Sequence, residues 1–165
     1  MSLDIRIRHI AEPDWSDIVA LEAGAYADHA LSEGRPALES RARPSPDTCF
    51  VLDCERRTVG YVLALPYPRF RYPDLTRIEE GRFASRNLHL HDLVIAAGFR
   101  GRGLAKQLLG RLTATAGAKR YEHISLIAVA GGASFWSARG YRAHQEVALP
   151  KSYGPEAVYM SKEVK

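Results

Sequence analysis

His89 and His91 stand one residue apart in Leu88-His89-Leu90-His91-Asp92-Leu93-Val94-Ile95, a stretch that alternates like a strand at its start. With period two, the histidines share one face, Leu88 and Leu90 take the other, and Asp92 falls with the leucines. Histidine is the side chain best suited to proton transfer near neutral pH, so the pair is a candidate base for a group that must lose a proton before it reacts. The pair is also half of a metal site. Asp92 is expected on the opposite face, however, and no second His/Cys cluster occurs in the sequence, so no metal is expected. A third reading makes both rings structural, bonded to backbone within a sheet.

Just downstream, Ile95-Ala96-Ala97-Gly98-Phe99-Arg100-Gly101-Arg102-Gly103-Leu104-Ala105-Lys106 runs from a strand through a glycine-rich turn into a helix. Glycine there permits positive φ and close approach of backbone to a ligand. The free N–H groups at the helix start, with the helix dipole, form a cradle for a pyrophosphate. Two other phosphate motifs fail on spacing. A Walker A loop begun at Gly98 would need Lys-Ser/Thr where Leu104-Ala105 stand. A dinucleotide fingerprint begun at Gly101 would need glycine where Lys106 stands. A glycine-rich loop with no ligand remains the alternative at this point.

The elements that must position these residues follow from periodicity. Ile5 to Ile10 alternates as a strand, Glu12-Pro13-Asp14 opens a helix with Ile18, Val19, Leu21 and Ala25 on one face, and a short second helix precedes Pro44. Residues 48–52 and 58–65 read as a strand pair joined by a charged turn, and 66–85 as a long connection of the kind that lines binding sites. Asn87 to Ile95 is a strand, and Leu104, Leu108, Leu112 and Ala116 repeat at i+4 in a long helix to Ala118. Ile124 to Val129 is a strand, Ala133 to Arg139 a short helix stopped by Gly140, and Tyr141 to Leu149 and Ala157 to Lys162 are strands. The order is β-α-α-β-β-β-α-β-α-β-β, a mixed α/β domain.

At 165 residues, 46% apolar and 25% charged, the chain fits a single globular domain over residues 1–165 with one sizeable core. No apolar run reaches the roughly 20 residues needed to cross a bilayer, and the N-terminus has no apolar signal core, so a cytoplasmic address and no membrane partner are expected. The net charge of +4 suits a small anionic ligand; the basic residues are too scattered for a nucleic-acid surface. Cys49 and Cys54 should point to opposite faces and remain reduced, packed thiols, with no base nearby to activate either.

Arg100-Gly101-Arg102-Gly103-Leu104-Ala105 resembles the Q/R-x-x-G-x-G/A acyl-CoA signature of the GNAT superfamily of N-acetyltransferases. Ala133-Ser134-Phe135-Trp136-Ser137-Ala138-Arg139-Gly140-Tyr141 resembles its second signature, a short helix ending in a Gly-aromatic pair. The resemblance spans the element order of nearly the whole chain. It implies a central mixed, splayed sheet flanked by helices, with acetyl-CoA as co-substrate. The pantetheine arm would lie between the strands ending at Ile95 and near Val129, paired to backbone at Leu93 and Ile95. N–H groups of Arg100, Gly101, Arg102, Gly103, Leu104 and Ala105 would hold the pyrophosphate, and Phe135, Trp136 and Arg139 would border the coenzyme. Backbone N–H at Leu93 or Val94 would meet the oxyanion.

His89-Leu90-His91 and Phe99-Arg100 are similar to the corresponding residues of the arylalkylamine (serotonin) N-acetyltransferase branch, which implies His89 and His91 as general base. The chain departs from the family where a Tyr that protonates the CoA thiolate often follows Phe: here Trp136 follows Phe135, and an indole is no useful acid. Tyr153 is the substitute candidate; return of the amine's own proton, or water, is equally open. Tyr26, His29 and Tyr67, with Phe70 and Tyr72, lie on connections expected to border the acceptor. The implied function is acetyl transfer to a small primary amine, aromatic amines included, by a monomer or homodimer. The alternatives are acetylation of protein N-termini or lysines, or a non-catalytic acyl-CoA-binding module.

Overall fold

Alternating and i+4 apolar patterns resolve into one sheet with helices on both faces. The computed structural model describes residues 3–27 and 31–165. Its strands are Ile5–His9 (β1), Phe50–Cys54 (β2), Arg57–Pro66 (β3), Asn87–Ile95 (β4), His123–Ala128 (β5), Arg142–His144 (β6) and Val158–Glu163 (β7). Its helices are Trp15–Ala25 (α1), Arg35–Ala42 (α2), Leu104–Ala118 (α3) and Ala133–Ser137 (α4). The sheet order is β1-β2-β3-β4-β5-β7-β6, antiparallel except where β4 meets β5.

The stripe Leu104, Leu108, Leu112 and Ala116 buries α3 against one face, together with Leu52, Val62, Leu88, Leu90 and Ile95. Trp15, Ile18 and Leu38 bring α1 and α2 onto the other, against Tyr61, Leu63 and Val94. Gly60 makes the first packing possible, because a Cβ there would stand 2.7 Å from the Ile95 side chain. Cys49 and Cys54 are buried in the cores of opposite faces as free thiols, and burial pushes the Cys49 thiol up to about 12.

Two sequence expectations change. The strand read over Tyr141 to Leu149 pairs with β7 only from Arg142 to His144. It lies at the sheet's edge with one neighbour, so nothing on the outer side extends the ladder, and Val147 turns back onto the His144 carbonyl. The first helix begins as a single 3-10 turn at Glu12–Asp14, where Asp14 accepts from the Ala11 N–H and pairs with Arg8. Among the described residues no helix is long and apolar enough to cross a membrane.

Candidate active site

The site begins where the sheet comes apart. β4 pairs with β5 only through Asn87–His123, Leu88–Ile124 and His89–Ser125. Beyond that point β4 stays on β3 as far as Ile95, whereas β5 stays on β7 as far as Ala128. The two strands diverge, and the β5-facing edge of β4 from His91 onward is left with polar backbone groups that have no strand partner among the described residues.

A bulge in β4 sets which side chains face this split. Leu63 pairs with Asp92 and Ala64 with Leu90, so His91 is the extra residue. One inserted residue reverses the faces of all that follow. Asp92 therefore turns to the histidine face, contrary to the expectation that it lies with the leucines. There it accepts from Tyr26 Oη at 2.7 Å and Tyr61 Oη at 2.5 Å. The apolar spacing carried this signal: Leu88 and Leu90 are two apart, Leu93 and Ile95 are two apart, but Leu90 and Leu93 are three apart.

A cleft of about 710 Å³ runs from the split to the start of α3. Every predicted coenzyme residue lines it except Arg102, whose guanidinium lies over the Phe99 ring instead. Gly101 and Gly103 adopt φ of 79° and 75°, and Gly103 is the residue that caps α3. The first helical bond joins the Gln107 N–H to the Gly103 carbonyl. The N–H groups from Gly101 to Lys106 have no backbone acceptor among the described residues, and they form a cradle open to an anion. Arg100, Lys106 and Arg139 add positive charge along the cleft. Arg139 stacks 3.6 Å over Phe135, and its buried Nε has no partner. Trp136 packs edge-on against Phe135 and Tyr141. Ala25, Phe99, Lys106, Ala130 and Gly132 also line the cleft and were not anticipated.

A second, smaller cavity of about 50 Å³ adjoins it, sharing the walls Tyr26 and Val129. His89, His91 and Asp92 line it from β4, Glu22 from α1, and Glu33 and Tyr153 from the connections. His89 is fully buried, with Nδ1 on Ser125 Oγ at 2.9 Å. Burial, reinforced by His91 and Arg41, lowers its pKa to about 3, so the ring stays neutral. His91 Nε2 meets Glu33 Oε2 at 2.5 Å. Burial would raise the Glu33 carboxyl, but His91 and Arg41 hold it below the usual carboxylate range.

Burial raises Asp92 to about 6, against the opposing pull of His91 and the two phenols. A carboxyl whose folded pKa stands above the unfolded value, near 3.9, contributes stability that is present below that value and lost as pH rises through about 6. Thermal melts across this window should show wild type losing stability relative to Asp92→Asn as pH rises. Parallel curves would mean that Asp92 titrates normally.

The remaining predicted residues are placed as follows. Tyr26 stands between the two cavities. Tyr67 does not line the histidine cavity: one residue past the end of β3, it is buried behind that cavity, against Phe83 and His89. Phe70 packs on His144, and the Tyr72 hydroxyl donates to the Ala148 carbonyl. Tyr153 reaches the cavity, but its hydroxyl donates to the Pro73 carbonyl at 2.5 Å, and burial raises its pKa, which makes it a poor acid. His29 lies outside the described residues. Glu22, Glu33 and Ser125 were missed, since nothing local in the sequence places them beside the histidines; Asp92 was seen beside His91 but assigned to the other face.

A splayed parallel strand pair, a helix start with open amides and an adjoining cavity of imidazoles and carboxylates define an enzyme that handles a phosphate-bearing acyl carrier. The model of the Acetyltransferase (GNAT) family matches residues 6–141, and the chain belongs to that family. It is an acetyltransferase that uses an acyl-coenzyme A. Among solved structures it is similar to the loading GNATL domain of CurA from Lyngbya majuscula, at 16% identity and TM-score 0.80 over 98% of each chain. It is also similar to N-acetylglutamate synthase from Neisseria gonorrhoeae complexed with coenzyme A and N-acetyl-glutamate, at 14% identity and TM-score 0.75 over 100% of this chain and 36% of that one. A third is Arabidopsis thaliana Naa50 in complex with the bisubstrate analogue CoA-Ac-MVNAL, at 13% identity and TM-score 0.68 over 96% and 97%. At these identities the likeness is one of fold. No curated protein sequence matches the chain.

Proposed function

We propose that residues 1–165 act as one domain that transfers an acetyl group from acetyl-CoA to a small primary amine by direct attack in a ternary complex. The reading keeps the His89/His91 pair as general base, as in the arylalkylamine branch that the sequence resembles. One observation carries it: the histidine cavity and the coenzyme cleft share the walls Tyr26 and Val129, so an amine in the first lies beside a thioester in the second. Holding the two reactants together supplies part of the acceleration.

The cavity also narrows the acceptor. Glu22, Glu33 and Asp92 favour a cation, and a volume of about 50 Å³ favours a slender aliphatic ammonium over an aromatic ring. In the reaction the ammonium loses one proton to the histidine pair, and its nitrogen attacks the thioester carbonyl. Free backbone N–H on the open edge of β4, near Leu93 or Val94, stabilises the oxyanion. The C–S bond then breaks. With the Tyr153 hydroxyl committed to Pro73, the second amine proton goes directly to the departing sulfur.

Acetyl-CoA should raise the melting temperature where ATP and NAD do not, since a ligand that binds only the folded state stabilises by about 2.7 kcal/mol at a hundredfold excess over Kd. A panel of propylamine, polyamines, aryl-ethylamines, amino acids and N-terminal peptides, read by thiol release, then tests the acceptor. Turnover with peptides alone would overturn the small-amine reading.

A further inference from the structure

The two histidines make different hydrogen bonds, and these assign them different protons. Resting on the reading of the pair as base, we propose that His91 alone is the base, through Nδ1, and that Glu33 is the positioning residue that fixes this tautomer while Arg41 holds Glu33 in place.

Glu33 faces His91 with both side chains almost fully buried, 5% and 3% exposed. An ionised carboxylate only accepts hydrogen bonds, so the ring nitrogen 2.5 Å away must be Nε2–H. In the neutral ring the lone pair then sits on Nδ1. Nδ1 takes no hydrogen bond among the described residues, and His91 lines the acceptor cavity.

Glu33 is itself held on all sides. Its N–H donates to Glu22 Oε2 at 2.6 Å, and its Oε1 accepts from Arg41 Nη2 at 2.6 Å. Arg41 is fully buried: its Nε also donates to Glu33 Oε1 at 3.3 Å, its Nη2 further meets the carbonyls of Asp74 and Arg77, and its Nη1 donates to Glu79. The long connection after β3 is thereby tied to the carboxylate that orients the base.

His89 is arranged the opposite way. Asn87 Nδ2 donates to Ser125 Oγ at 2.8 Å, and Ser125 is fully buried. With Ser125 Oγ accepting from Asn87, the neighbour left to take the serine's own proton among the described residues is His89 Nδ1, 2.9 Å away, and we assign the bond that direction. That occupies the His89 lone pair and leaves its proton on Nε2. His89 is therefore a hydrogen-bond donor and no base, consistent with its burial.

The other charged or titratable groups around His91 are Glu22 and Tyr26 from α1 and its end, Arg41 from α2, Asp92 and His89 from β4, and Tyr153 from the loop before β7. The proton balance closes. One ammonium proton moves to Nδ1, giving an imidazolium whose counter-charge is Glu33. The C–N bond forms, the C–S bond breaks, the second amine proton goes to sulfur, and His91 returns its proton to solvent.

Nitrogen-15 NMR of ring-labelled histidines in the full chain reads the tautomers without needing an acceptor. The expected result is Nε2–H on neutral His91, with that tautomer preference weakened in Glu33→Gln, whose amide can present either a donor or an acceptor. Finding Nδ1–H on His91, or an unchanged tautomer preference in a Glu33→Gln protein that melts cooperatively, overturns the assignment. With propylamine as acceptor, Glu33→Gln should also lower kcat while the KM for acetyl-CoA stays put. His91→Gln should be nearly inactive, whereas His89→Gln should lose far less of kcat. A His91→Gln protein with full turnover sinks the base reading itself. A dead His91→Gln beside an unaffected Glu33→Gln sinks only the role given to Glu33.

Discussion

The His89→Gln/His91→Gln double variant should turn over amines about 10²–10⁴-fold more slowly than wild type, with acetyl-CoA affinity unchanged. An alkylammonium is almost wholly protonated at neutral pH and has no lone pair with which to attack. Without a positioned acceptor for its proton, reaction depends on the small fraction already neutral. Glutamine approximates the size and hydrogen bonding of histidine but cannot take up a proton, so packing beside Tyr67, Ser125 and Tyr159 is largely kept. Neither histidine lines the coenzyme cleft, so the thioester's site should not feel the change. Calorimetry with acetyl-CoA and thiol-release kinetics over pH 6–10 separate the two quantities. The deficit should shrink at high pH, where the amine deprotonates by itself. A uniform deficit at every pH would point to lost positioning in place of lost proton transfer.

Gly103→Val should weaken acetyl-CoA binding by about 10²-fold, the second large effect. At φ of 75°, Gly103 occupies the left-handed region at the start of α3. Any L side chain costs roughly 1–2 kcal/mol there, and a β-branched one costs more. Nothing lies within 4 Å of a Cβ at this position, so the penalty is conformational and not a clash. The loop can relieve it only by rotating the amides from Gly101 to Lys106 away from their shared focus. Hydrogen bonds to a charged diphosphate are worth about 1.5–3 kcal/mol each, and 1.4 kcal/mol is tenfold in Kd. Gly98→Ala is the comparator: it has open space, lacks a positive φ and does not line the cleft, so it should bind normally. A Gly103→Val protein with wild-type Kd would remove the cradle from the account of coenzyme binding.

How much was legible in advance depended on range. Element order, the α3 stripe, the left-handed Gly101, Gly103 and Gly140, and the cysteines on opposite faces all rest on backbone preference or short-period pattern, which a sequence carries in consecutive residues. The cleft at the start of α3 was legible for the same reason, because its open amides belong to the main chain of one unbroken segment. The slip from Leu90 to Leu93 announced the bulge, although a strict alternation placed Asp92 on the wrong side.

The acid-base cavity was another matter. Glu33 and His91 are 58 positions apart, and Tyr153 comes from a loop that runs to the cavity only after β7 has slotted between β5 and β6. Side chains of this kind carry no local signature, since any carboxylate on any connection looks alike until packing chooses one. The sequence by itself determined where the start of α3 leaves a run of main-chain amides free. Only the tertiary structure decided which histidine keeps a free lone pair, because that depends on partners that folding brings into contact from distant parts of the chain.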